Sequence, residues 1–165
     1  MIHNAGLLAR ALYPAGVRLA PQEVRTYFVT AVTANRRRLF QVESAANLLL
    51  DVLKHYRGQS RYALHAFVIM PDHIPLLLTP APEVSLEKAL QFIKGGFSFR
   101  LKSKRDVWER SFNEVQILSA DKFHSCTRYI EENPLRAGLS TVTDIYTYSS
   151  ANETIEVDPM PEHFR

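Results

Sequence analysis

The fold is decided by residues 68–79, which read Val68-Ile69-Met70-Pro71-Asp72-His73-Ile74-Pro75-Leu76-Leu77-Leu78-Thr79. Two apolar runs flank a proline and an aspartate, a pair that is typical of a tight turn. The pattern therefore predicts a β-hairpin with a two-residue loop. In that register Met70 pairs with His73, and Val68 pairs with Pro75.

The second strand of this hairpin predicts which side chains face the core. Side chains along a strand alternate between the two faces of its sheet. The apolar set Ile74, Leu76 and Leu78 should therefore point to a helix-covered core, and His73 to the open face. By the same alternation His65, on the preceding strand, falls on the face opposite to His73.

Hydrophobic periodicity predicts the remaining elements. They lie at 26–33 (strand), 44–58 (helix), 61–70 (strand), 73–79 (strand), 85–101 (helix), 114–118 (strand) and 119–133 (helix). Ser44, Ser85 and either Ser119 or Asp121 are plausible helix N-caps. Gly95-Gly96 inside the second helix indicates a bend or a close approach, because glycine is unfavourable within a helix.

The order of these elements is the split βαβ, ferredoxin-like pattern. It predicts an α+β fold with a four-stranded antiparallel sheet, helices on one face and an additional helix that carries a tyrosine. The length of 165 residues fits one domain. We place its core at about 26–151 and expect the acidic, proline-containing tail, 152–165, to dock loosely or not at all.

Composition restricts the possible partners. A net charge of +3 and a pI near 9.1 permit a polyanionic partner. One cysteine, Cys126, allows no internal disulfide, which suits a reducing cytosol. No apolar run approaches the roughly 20 residues of a membrane span. We therefore expect a cytoplasmic protein with no membrane partner.

The last predicted helix carries the second candidate group. Tyr129 and Asn133 are four residues apart and share one helix face. A positioned tyrosine hydroxyl can be a covalent nucleophile, and an asparagine carbonyl can complete a metal shell. A helical tyrosine is, however, more often a core or interface residue. The run Arg36-Arg37-Arg38 is likewise either a solvated charge run or a phosphate contact.

Several segments in order resemble the REP-associated tyrosine transposases, relatives of the single-tyrosine HUH transposases of bacterial insertion sequences. The matching residues, spread from about 26 to 151, include Tyr27-Phe28-Val29-Thr30-Ala31 with Asn35-Arg36-Arg37, Val68-Ile69-Met70-Pro71-Asp72-His73-Ile74, Val107-Trp108-Glu109-Arg110-Ser111-Phe112, Tyr129-Ile130, Asn133-Pro134-Leu135-Arg136-Ala137-Gly138-Leu139 and Tyr148-Ser149-Ser150-Ala151. No single piece is decisive, but the ordered set is specific.

The resemblance implies an enzyme that cleaves and rejoins single-stranded DNA hairpins of the REP type. Tyr129 would attack a phosphate and form a 5′-phosphotyrosine intermediate, assisted by Mg²⁺ or Mn²⁺. The metal ligands would be His73, the residue at position 75 and Asn133. The basic residues expected to hold the DNA are Arg36, Arg37, Arg38, Lys94, Arg100, Lys102 and Arg136. The protein would act as a monomer or homodimer.

Pro75 departs from the family pattern, because it stands where the second histidine of the His-hydrophobic-His motif is expected. Proline offers no lone pair to a metal, so metal binding should be weakened. The alternative function is therefore a catalytically impaired protein that still binds DNA hairpins. An RNA-binding or regulatory ferredoxin-like domain is a third reading, from fold analogy alone.

Overall fold

Four antiparallel strands form the sheet on which the molecule is built. The structure is a computed structural model, and it describes residues 24–141 and 145–165. The strands are β1 (Thr26–Val32), β2 (Tyr62–Phe67), β3 (His73–Pro80) and β4 (Asn113–Ile117). Their order across the sheet is β2-β3-β1-β4. The predicted element order is thus confirmed, and β3 lies in the centre of the sheet.

Helices cover both faces of this sheet. Helices α1 (Glu43–Gly58) and α2 (Leu86–Leu101) pack on the face that carries Ile74, Leu76 and Leu78, as predicted. Helix α3 (Ala120–Glu131) packs on the opposite face, and the short α4 (Asn133–Arg136) follows it. Phe123 and Ile130 of α3 are buried there against Leu77 of β3. The face that His73 shares is therefore partly covered by the tyrosine-bearing helix.

The helix ends follow the predicted capping chemistry in two of three cases. The hydroxyls of Ser85 and Ser119 accept hydrogen bonds from the third backbone N–H beyond them, at 3.1 and 3.2 Å. Ser44 is not a cap: α1 begins at Glu43, and Val42 before it makes no side-chain cap bond. Helix α1 therefore starts two residues earlier than a cap at Ser44 would place it.

A β-bulge in β2 overturns the predicted orientation of His65. The pairing of β2 with β3 shifts between Leu64 and Ala66, so His65 is the extra residue. Its ring packs edge-on against Phe123 of α3, 5.2 Å between centroids, which puts it on the same sheet face as His73. It still cannot join His73, because its Nε2 bonds Thr79 Oγ1 at 2.8 Å near the other end of β3.

The closing segment, as we call the tail 152–165, docks firmly, contrary to expectation. Ile155 and Asp158 are buried, with exposed fractions of 7% and 4%. Just before this tail, Ser149 forms a β-bridge with Val68, next to the end of β2. Across the described residues, no helix is both long enough and apolar enough to cross a membrane.

Candidate functional site

His73 lies at the first position of β3, directly after the hairpin turn. Its Nδ1 is 2.7 Å from Asp72 Oδ1, and the other Asp72 oxygen lies 3.5 Å from the Arg36 guanidinium. The turn itself is fixed, because the backbone N–H of Thr33 donates to the Asp72 carbonyl at 3.0 Å, and the Thr33 hydroxyl donates to the Arg37 carbonyl at 2.7 Å. A carboxylate that occupies one ring nitrogen orients the imidazole and leaves Nε2 as the atom able to meet a ligand.

The Asp72 carboxylate is held ionised by its neighbours. Burial alone would raise the pKa of Asp72, but the hydrogen bond with His73 and the electrostatic interactions with His73 and Arg36 outweigh it. The pKa is therefore lowered from its ordinary 3.8. Asp72 consequently remains available as the orienting partner of His73 at neutral pH.

Tyr129 projects from α3 with 52% of its surface exposed. Its ring meets the ring of Phe28 edge-on at 6.0 Å between centroids. The guanidinium carbon of Arg136 lies 4.1 Å from the centre of the same tyrosine ring, and Arg136 Nη2 donates to the Tyr129 carbonyl. Arg136, expected from the sequence to contact DNA, is thus engaged with the candidate nucleophile itself.

His73 and Tyr129 lie over the same sheet face but at different levels along the strands. His73 pairs with Val32, whereas Phe28, the residue under Tyr129, pairs with Leu77. Four residues of β1 separate these two levels, or about 13 Å at the rise of a strand. Within the described residues, no hydrogen bond or ion pair joins His73 to Tyr129 or to Asn133, which begins α4.

The side chains present do not fit a preformed site for a divalent metal. Residues 24–141 and 145–165 contain no group of three His, Cys, Asp or Glu side chains able to hold an ion. Pro75 is buried within β3 and has no donor atom in its side chain. Of the three expected ligand positions, 73, 75 and 133, only His73 therefore offers a metal-binding atom at the turn.

The predicted basic residues are divided between several places. Arg36, Arg37 and Arg38 follow β1 beside the hairpin turn. Lys94 Nζ donates to the Glu109 carbonyl at 2.7 Å, and burial lowers the pKa of this lysine, opposed by the charge of Glu109. Exposed positions at the end of α2 hold the last two, Arg100 and Lys102.

Two further arginines, Arg105 and Arg110, are not among the residues predicted from the sequence. They line an open groove together with Arg37. The sequence signal that could have identified them is their position on either side of Trp108. The indole of Trp108 is buried and anchors the connection between α2 and β4. Burial raises the pKa of the Cys126 thiol to about 12, and the side chain packs against the core cluster under α3.

The fold and these residues define a class: an α+β ferredoxin-like domain with a histidine at its central hairpin and an exposed tyrosine on a helix across the same face. The family described as "Transposase IS200 like" matches residues 23–133. This match covers more than half of the sequence, and the chain therefore belongs to the IS200-like transposase family.

Two solved structures share the fold. A REP-associated tyrosine transposase bound to a REP hairpin is 20% identical, with a TM-score of 0.69, over 90% of this chain and 93% of that one. A protein from Deinococcus radiodurans R1 described as a transposase is 23% identical, with a TM-score of 0.51, over 73% of this chain and 97% of that one. A comparison with curated protein sequences finds no match.

Proposed function

We propose that the chain binds single-stranded DNA folded as a hairpin, and that its capacity to cleave this DNA is strongly reduced. Membership of the transposase family and the likeness in fold to a hairpin-bound relative support the DNA partner. The observation that carries the reduced chemistry is Pro75, a buried residue without a donor atom at the position of an expected ligand.

The position of Tyr129 supports the same proposal. The ring lies over Phe28 and under Arg136, at a level of the sheet about 13 Å from that of His73. A nucleophile and the group that orients its target phosphate must come close together for in-line attack. Among the described residues, no hydrogen bond or ion pair joins His73 to Tyr129, whose ring contacts Arg136 instead, so binding is better supported than cleavage.

A second candidate function is cleavage and rejoining through Tyr129. It is favoured by the exposed hydroxyl-bearing side chain and by the intact Asp72–His73 pair. Tyr129 Oη would lose its proton to water and form a bond to phosphorus while the P–O3′ bond breaks. The departing O3′ would take up a proton, which leaves a 3′-hydroxyl and a 5′-phosphotyrosine. Attack by a 3′-hydroxyl on that link would rejoin the strand.

One experiment separates the two functions. A labelled DNA hairpin and a fully paired duplex of the same composition are titrated with the protein, and the hairpin sample is then incubated with Mn²⁺ and resolved on a denaturing gel. We expect preferential hairpin binding with at most a trace of covalent adduct, the trace being absent in Tyr129→Phe. Equal binding of hairpin and duplex would overturn the proposal. Abundant adduct that Tyr129→Phe abolishes would establish the second function instead.

A further inference from the structure

Two aromatic rings form a fixed platform where helices α1 and α2 meet. The rings of Tyr56 on α1 and Phe92 on α2 stack at 5.0 Å between centroids, with an angle of 25° between their planes. Gly96 of α2 lies against the Tyr56 ring, since a Cβ at this glycine would be 2.8 Å from Tyr56 Cε2. Because Tyr56 is enclosed in this way, the Phe92 ring is held in place before any ligand binds.

Two cationic side chains share the Phe92 ring. The guanidinium carbon of Arg61 lies 5.0 Å from the ring centre, and Lys88 Nζ lies 5.3 Å from it. Within the part of the chain that the structure describes, neither side chain forms an ion pair. The two positive charges repel each other, and an anion that touches both would replace this repulsion with attraction.

The Arg61 side chain also lacks a hydrogen-bond acceptor. Among the side-chain nitrogens and oxygens of residues 24–141 and 145–165, Arg61 Nε is the one that is buried without a partner. A buried N–H without an acceptor is destabilising, and such groups are rare in folded proteins. An oxygen-bearing anion supplies both the acceptor and the negative charge that this arginine lacks.

The backbone on both sides of Arg61 is fixed. Its N–H donates to the Tyr56 carbonyl at 3.1 Å, and its own carbonyl accepts the Ala81 N–H at 3.0 Å. Ser60, directly before it, has a φ of 58°, in the left-handed region that residues other than glycine rarely adopt. Such a conformation persists only where the surrounding contacts hold it. The connection between α1 and β2 therefore presents Arg61 to the Phe92 ring in one position.

These side chains lie far from the candidate site at His73. Arg61 directly precedes Tyr62, which pairs with Pro80 at the end of β3. His73 begins the same strand, so about 23 Å of β3 separate the two places at the rise of a strand. Helices α1 and α2 also pack on the sheet face opposite to α3, the helix that carries Tyr129.

We propose that Arg61, Lys88 and Phe92 form an anion site that binds a phosphate group; we call it the Phe92 site. The planar guanidinium matches the geometry of phosphate oxygens, and the lysine adds a point charge. The phosphate can belong to the stem of a bound DNA hairpin or to a small phosphate compound, since both present the same oxygens. The inference goes beyond the proposed function, because the Phe92 site rests on its own contacts.

The first measurement is thermal unfolding in inorganic phosphate and in chloride, at the same pH and ionic strength. The full chain is compared with Arg61→Gln/Lys88→Gln, each protein against its own midpoint in chloride. We expect phosphate to raise the Tm of the full chain by about 2 °C or more beyond its effect on this variant. The comparison between proteins is needed because phosphate also stabilises proteins through its exclusion from their surfaces.

The second measurement identifies the source of the phosphate. Labelled hairpins with stems of about 4 and about 10 base pairs are titrated over a range of salt concentrations. Since the rise per base pair is about 3.4 Å, a stem that starts at His73 needs about 7 base pairs to span the distance to Arg61. This arm alone rests on the proposed function.

If DNA supplies the phosphate, the longer stem binds the full chain more tightly than the shorter one. Arg61→Gln/Lys88→Gln should then lose about fivefold or more of that gain. Its salt dependence for the longer stem should also fall by about 1.8, two contacts at the duplex slope. If a small phosphate compound is the ligand, the variant and the full chain bind both hairpins alike, and only the response to inorganic phosphate differs.

The matched control is Lys54→Gln/Lys122→Gln, which removes the same charge from exposed positions of α1 and α3. It should behave like the full chain in both measurements. An equal loss in the control, or a site variant that matches the full chain in both measurements, would overturn the inference. If no protein binds either hairpin, the proposed function fails, and the response to inorganic phosphate alone then decides for or against the Phe92 site.

Discussion

Pro75 is the residue on which the proposed loss of cleavage rests. It shares a sheet face with His73 and pairs with Thr30 in β1. Val68 donates its N–H to the Pro75 carbonyl at 3.3 Å, and in an antiparallel pair the reciprocal bond would come from the N–H of residue 75. Proline has no N–H to give. Compared with the histidine that the resemblance implies at this position, Pro75 lacks both a side-chain metal donor and the N–H for a ladder hydrogen bond in a central strand.

Restoring a histidine should restore metal binding. Pro75→His is expected to raise the affinity for Mn²⁺ and the rate of adduct formation by about tenfold or more, the usual sensitivity of metal sites to their ligands. Isothermal titration with Mn²⁺ and the denaturing-gel assay measure the two quantities. Pro75→Ala is the control, since it restores the N–H without a ligand and should change neither. If Pro75→His also leaves both unchanged, the interpretation of Pro75 is wrong.

At the scale of elements, α2 shows how closely the two helices on one face are packed. A Cβ at Gly96 would lie 2.8 Å from Cε2 of Tyr56 on α1 and 3.3 Å from Val52 Cγ1. Tyr56 cannot easily move away, because its ring stacks on Phe92 at 5.0 Å. A Cβ at Gly95 would meet nothing within 4 Å. The close approach predicted from the glycine pair is confirmed, and it belongs to Gly96.

The two glycines should therefore respond oppositely to alanine. Gly95→Ala should raise the free energy of unfolding by about 1 kcal/mol, since alanine is the better helix former. Gly96→Ala should lower it by about 1–3 kcal/mol, the usual cost of overpacking. Urea unfolding monitored by circular dichroism measures both, and each variant serves as the control for the other. Equal effects of the two substitutions would contradict the described contact between α1 and α2.

At the scale of the whole molecule, the closing segment ties distant parts of the chain together. The Asp158 carboxylate accepts two hydrogen bonds from Arg57 of α1, at 2.8 and 3.0 Å, and one from the Leu64 N–H of β2, at 2.8 Å. The hydrogen bond from Arg57 to Asp158 raises the arginine pKa against the effect of burial. Helix α1, strand β2 and the C-terminal residues are thus joined at one carboxylate.

Loss of this carboxylate should destabilise the molecule. Asp158→Ala leaves the Arg57 guanidinium and a buried N–H without their partner, so we expect a loss of about 3 kcal/mol in the free energy of unfolding. Glu156→Ala is the matched control: Glu156 lies 3.5 Å from the same arginine but is 84% exposed. Its loss should cost less than about 1 kcal/mol. Similar midpoints for the two variants in urea unfolding would show that the closing segment contributes little.

Local sequence determined the elements and the identity of the candidate side chains. Turn chemistry at Pro71-Asp72 and residue periodicity act over a few neighbours, so the hairpin, its register and the ferredoxin-like order follow from the sequence. Only the tertiary structure decided the orientation of His65, the docking of Asp158 and the assembly of the groove lined by Arg37, Arg105 and Arg110. Each depends on contacts between residues far apart in the chain. His65 is turned by a bulge in the pairing of β2 with β3, and Asp158 is held by Arg57 of α1. The groove forms where the turn after β1 bonds to the connection between α2 and β4. Such contacts arise when whole helices and strands pack together, and local sequence patterns do not predict that packing.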